Sequence, residues 1–151
     1  MRRWAGAPRL PWLGMMILAL AACMGPRVAG AGGEGEPLAG TRWTLAELNG
    51  QAPVPGLGAA TPTLEFAAGE ARASGNGGCN QFSGPYTQDG AALRFGPLVS
   101  TRRACADEAA NRQETAYLRA LESTTRFTAT AEMLVLYAGD QAVAQLSRTA
   151  E

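Results

Sequence analysis

The stretch SGNGGCNQFSGPY, Ser74 to Tyr86, sets four glycines around one cysteine and carries two aromatic residues toward its end. A glycine loop can cradle a phosphate, present a reactive thiol, or let a backbone bend where side chains do not fit. The phosphate reading fails on residue types. A P-loop needs a lysine after its glycines, and the chain has none. A dinucleotide fingerprint started at Gly75 finds Gly77 in third place but Asn80 in sixth, with no helical pattern behind it. A reactive thiol needs a histidine, a cation or a helix N-terminus to lower its pKa, and there is no histidine anywhere. That absence also excludes Ser–His and Cys–His nucleophiles and most zinc sites, which draw three or four ligands mainly from nitrogen and sulfur. No acidic cluster at ligand spacing accompanies Cys79 or Cys105, so the sequence implies neither metal nor cofactor. A hydrolase built on this chain would have to work with carboxylates such as Glu65, Glu70 and Glu114, in the manner of a glycosidase pair. No motif links these three.

The third cysteine belongs to another context. Arg2, Arg3 and Arg9 precede the apolar run LPWLGMMILALAA, Leu10 to Ala22. Thirteen residues fall short of the roughly 20 a membrane-spanning helix needs, and the arrangement is that of an export signal over 1–22. The run ends in LAAC, Leu20 to Cys23, which resembles the lipobox of bacterial lipoproteins. The resemblance implies cleavage before Cys23 and a lipid on its thiol, hence a protein anchored to a membrane without spanning it. A conventional cut at AGA, Ala29 to Ala31, is the alternative. In a cell with two membranes, Met24 stands where an inner-membrane retention aspartate would be, which favours the outer membrane. Residues 23–37 are glycine-rich with almost no large apolar residue and read as a flexible tether. Residues 38–149 have the size of one domain with its own core.

Thirteen basic residues, all arginine, face thirteen acidic ones; the three that leave with the signal bring the mature chain to a net charge near −3. The domain's single basic pair, Arg102-Arg103, is no stripe, so nucleic acid is excluded as a partner. Export places the two domain cysteines where thiols oxidise. Their even number points to a Cys79–Cys105 disulfide, worth roughly 3 to 4 kcal/mol by loop entropy; two free thiols are the alternative.

The elements around these residues are mostly short strands. TRWTLAEL (Thr41 to Leu48) sets Trp43 and Leu45 in step and Leu48 out of step before the turn pair Asn49-Gly50. PTLEF, GPYTQ, AALRFGPLV, RFTAT, EMLVLYA and AVAQLS follow, with turns at Asp89-Gly90 and Gly139-Asp140. Regular short strands of this kind predict an antiparallel barrel or sandwich. One segment differs. Asp107 to Glu122 starts on an N-cap residue and places Ala110, Glu114, Tyr117, Leu118 and Leu121 on one helical face. Glu114 in that stripe either reaches water at the rim or is buried with an arginine partner.

GTRWTL, SGNGGCNQFSGPY, LRFGPLVSTRRAC and ETAYLRAL together, in this order and spacing, resemble the META domain, or HslJ-like, family across nearly all of residues 38–149. The resemblance implies a small lipocalin-like antiparallel barrel closed by one α-helix, in bacterial proteins often exported as lipoproteins and associated with stress. It brings no family-wide enzymatic activity and no settled ligand. Gly78, Cys79 and Asn80 match the family's Gly-Cys-Asn, Thr101 and Cys105 its second motif, and Glu114 its helix acid. Arg103 departs from the pattern, since its place is often apolar. Strict alternation would turn Arg103 inward with Thr101 and Cys105, toward a buried pair with Glu114.

The expectation is a monomeric, non-enzymatic envelope lipoprotein, facing the periplasm or cell exterior and binding an envelope protein or a small ligand, possible at the mouth of the barrel. An inhibitor of a secreted enzyme, presenting the loop NGQAPVPGLGAATP (Asn49 to Pro62), is the alternative from another class. A histidine-free hydrolase is the third.

Overall fold

The computed structural model describes residues 36–103 and 105–149; the signal, Cys23 and the tether up to residue 35 lie outside the described residues. Nine strands and one α-helix follow in the order β1 (Arg42–Leu48), β2 (Thr63–Phe66), β3 (Arg72–Asn76), β4 (Gln81–Asp89), β5 (Ala92–Phe95), β6 (Val99–Ser100), α1 (Glu108–Ser123), β7 (Arg126–Ala129), β8 (Met133–Ala138) and β9 (Gln141–Arg148). Every pairing is antiparallel. The order β3-β2-β1-β9-β8-β7-β5-β4 closes on itself through β3–β4, giving an eight-stranded barrel, and the short β6 follows β5 along the same side of β4.

Turn chemistry sets the hairpins. Asn49 and Gly50 both take positive φ (49° and 80°), and Leu48 and Gln51 exchange backbone hydrogen bonds of 2.8 and 3.0 Å around them. Asn-Gly is the pair that tolerates such a turn. Leu48 is out of step because the β1–β9 register shifts between Leu45 and Glu47, which leaves Ala46 and Glu47 both off the core and brings Leu48 back to it. A second shift, between Leu136 and Tyr137, lets Val143 and Ala144 both face inward.

The inward residues form one continuous core that includes Trp43, Phe66, Phe82, Tyr117, Phe127, Leu134 and Leu146. The Trp43 indole N–H, buried here, donates to Thr41 Oγ1 at 2.7 Å, and that hydroxyl donates to Leu38 O at 2.6 Å.

The weakest seam is between β5 and β7, which share one pair, Ala92 and Arg126. Helix α1 packs against β5, β8 and β9 there. Asp107 caps it, its carboxylate accepting from Ala109 N–H at 2.7 Å. Ala110, Glu114, Tyr117, Ala120 and Leu121 are buried, and Leu118 is partly so.

Candidate functional site

The glycine stretch folds as the end of β3, a two-residue turn and the start of β4. Gly77 N–H donates to Asn80 O at 2.7 Å, leaving Gly78 and Cys79 at the tip, with Gly78 at φ +116°. A side chain is disfavoured at that φ. Gly77 is glycine for another reason: a Cβ there would lie 2.7 Å from Glu114 Cγ and 2.8 Å from its Oε2. The glycines bring backbone against a carboxylate.

Glu114 is 8 % exposed. Its Oε2 accepts from Cys79 N–H (2.9 Å) and Asn80 N–H (2.6 Å), and its Oε1 accepts from Asn80 Nδ2 (2.6 Å). Asn80 continues the network. Its Nδ2 also donates to Arg103 O (2.7 Å), and its Oδ1 accepts from Arg103 N–H (2.6 Å) and Thr101 Oγ1 (2.9 Å). One asparagine thus ties the helix acid to the chain leaving β6. The Cys79–Cys105 disulfide, Cα atoms 5.7 Å apart, crosslinks the glycine turn to that same chain and packs on Ala110.

The Arg103–Glu114 pair is therefore corrected. Glu114 is buried, but its partners are backbone amides and Asn80, and Arg103 is exposed, joining the network through its main chain alone. Strict alternation fails because β6 ends at Ser100, and Thr101 is exposed as well. Among the described residues the ion pairs are Arg42–Glu65 (2.9 Å), Arg112–Glu108 (3.4 Å) and Arg126–Asp140 (4.0 Å).

Gly78, Cys79, Asn80, Thr101, Cys105 and Glu114 are thus brought together, as a clamp. The three acids of the hydrolase reading are not: Glu65 pairs with Arg42 on the outer surface, Glu70 is exposed between β2 and β3, and Glu114 is inside the clamp. Gln113 carries no signal in the sequence. Its side-chain amide donates to Val54 O (2.8 Å) and accepts from Val54 N–H (2.6 Å), fixing the loop after β1 to the helix. Leu57 N–H adds a 2.9 Å bond to Gly78 O.

Ligand space lies on the outside, because the barrel interior is filled by side chains. A groove of about 320 Å³ runs between that loop and α1, lined by Leu48, Asn49, Val54, Arg112, Gln113 and Ala116 among others. A depression of about 630 Å³ is bordered by Arg42, Glu65 and Arg148.

A small closed antiparallel barrel, sealed by one helix and locked by Gly-Cys-Asn against a helix glutamate, defines the class. The META domain profile matches residues 36–151, and the chain belongs to the META domain family. It is similar to a protein from Burkholderia xenovorans solved by NMR, at 30% identity and a TM-score of 0.64, over 76% of this chain and 85% of that one. A second NMR structure is similar at 25% identity and a TM-score of 0.58, over 72% of this chain and 89% of that one. No curated protein matches.

Proposed function

We propose that this chain is an exported lipoprotein, anchored through Cys23, whose META domain serves envelope maintenance or stress resistance by binding rather than by catalysis. One observation carries the non-enzymatic reading. The motif's acid, Glu114, accepts three N–H donors inside the clamp, so its hydrogen-bonding capacity holds the fold. The Cys79–Cys105 crosslink supports an oxidising compartment, and with it export. On this reading the barrel is a rigid carrier, and its outer surface meets a partner protein or small ligand. A second reading, inhibition of a secreted enzyme through the loop of Asn49 to Pro62, is favoured by that loop being pinned while Val54 and Leu57 stay exposed.

The test has two arms. Cells fed labelled palmitate should label the wild-type protein and not Cys23→Ser; an unlabelled wild type overturns the anchoring. A deletion strain should lose survival under detergent or osmotic challenge and recover it with the wild type but not with Cys23→Ser. Unchanged survival of the deletion overturns the envelope role.

A further inference from the structure

Hydrogen bonding along β4 alternates between its two neighbours. Asn80 O and Tyr86 N–H bond toward β3, to Gly77 N–H (2.7 Å) and Ala71 O (3.0 Å), whereas Gln81 O bonds toward β6, to Thr101 N–H (3.0 Å). Phe82 therefore bonds toward β3, and Ser100, which stands opposite it, turns its own N–H and C=O away from β4. β6 continues β5 along β4 and pairs with no other strand, so no strand lies on that far side of Ser100 among the described residues.

This edge has its own chemistry. Val99 is 73 % exposed, the most exposed large apolar side chain among the described residues. Arg102 and Arg103 follow it closely in the chain, both exposed, and neither belongs to an ion pair among the described residues. The acids that follow in the chain are engaged elsewhere: Asp107 caps the helix, Glu108 faces Arg112, and Glu114 is within the clamp. The edge is also held open in advance. Asn80 grips Arg103 by both its N–H and its C=O, and the disulfide fixes the chain beyond. A strand ordered before binding loses less entropy when a partner arrives.

We infer that the β6 edge is a docking strand for an extended acidic segment of a partner protein. The segment adds to the barrel by backbone hydrogen bonds to Ser100, seats an apolar side chain on Val99, and sets carboxylates against Arg102 and Arg103. A second copy of this chain fits poorly, because edge-to-edge pairing would bring these arginines together. A lipid surface would take the arginines but leave the edge donor and acceptor without strand partners. The inference deepens the binding reading above and is independent of the lipid anchor, so either can fail alone.

The experiment titrates the purified full-length protein in detergent with a synthetic peptide of alternating valine and glutamate. Backbone NMR and hydrogen exchange provide the readout. Binding should shift the amides of Ser100 and Arg102 and slow exchange at Ser100. Arg102→Glu/Arg103→Glu, both surface changes, should weaken it at least about tenfold. N-methylation of the peptide backbone, or Ser100→Pro, should weaken it comparably by removing the edge bonds. Equal binding of a valine–lysine peptide, or of the N-methylated peptide, overturns the proposal, as does an absence of shifts at millimolar peptide. Two other occupants would also overturn it: protection of Ser100 by anionic vesicles alone, or a dimer in sedimentation that the peptide does not displace.

Discussion

Glu114 and Asn80, 34 residues apart in sequence, are joined twice: the carboxylate accepts both the backbone N–H and the side-chain Nδ2 of the asparagine, each at 2.6 Å. Asn80 cannot flip, because its Oδ1 already accepts from Thr101 and Arg103. Glu114→Gln must then point its NH₂ at a donor. It should cost about 1–3 kcal/mol in urea unfolding, and Glu114→Ala, which strands all three buried donors, should cost more.

The same geometry predicts a rescue. Asn80→Asp places a second carboxylate against Glu114 Oε1 and should destabilise more than Glu114→Gln does. In the double variant the new NH₂ faces the new carboxylate, so part of the loss should return, with a coupling of roughly 0.5–3 kcal/mol. Recovery stays incomplete because Arg103 O has lost its donor. Strict additivity across this cycle would show that the two side chains do not interact.

Arg103→Ala should leave stability within about 0.5 kcal/mol of wild type, since the exposed side chain adds nothing to the main-chain bonds that hold it. A loss of several kcal/mol in denaturant unfolding would return Arg103 to the interior.

Thiol trapping of the denatured, unreduced domain should find neither Cys79 nor Cys105 free. Cys79→Ala/Cys105→Ala should lower stability by about 2–4 kcal/mol, because the bond closes a 26-residue separation. Reactive thiols in the unreduced protein would contradict the crosslink.

Tyr117 offers a spectroscopic check. Complete burial raises its phenol pKa well above the ordinary value, and its hydroxyl donates to Thr63 O at 3.3 Å. An acid raised in the folded state supports folding fully below the unfolded pKa, about 10 for tyrosine, and loses that support as pH climbs beyond it. The phenolate absorbance belonging to Tyr117, isolated by comparison with Tyr117→Phe, should therefore appear together with alkaline unfolding. Its appearance in the folded protein would mean that the ring reaches water.

Much of this was legible in the sequence where side-chain size carries the pattern. The helix announces itself by period and cap, and Asn49-Gly50 by the backbone angles that pair permits. β3 was hidden because RASGN buries a single small residue, Ala73, and so shows no alternation of large apolar groups. The acid in the helix stripe is visible, but two of its partners are main-chain amides, which any sequence supplies, and so no residue type marks them. Arg103 departs from strand alternation because the strand ends at Ser100, and beyond it Asn80 rather than a neighbouring strand directs the chain.

The first and last strands of the barrel are also neighbours. Thr149 N–H donates to Arg42 O at 3.0 Å, and the hydroxyls of Thr44 and Thr149 meet at 2.8 Å. The domain is therefore topologically almost a circle, its two ends stitched side by side by ordinary sheet bonds. A short linker could join them and a cut at Gly139-Asp140, an exposed turn, could open new ends while every pairing of the ring is kept. The same closeness lets a host protein carry the whole domain as an insertion in one surface loop, entering and leaving at nearly the same point.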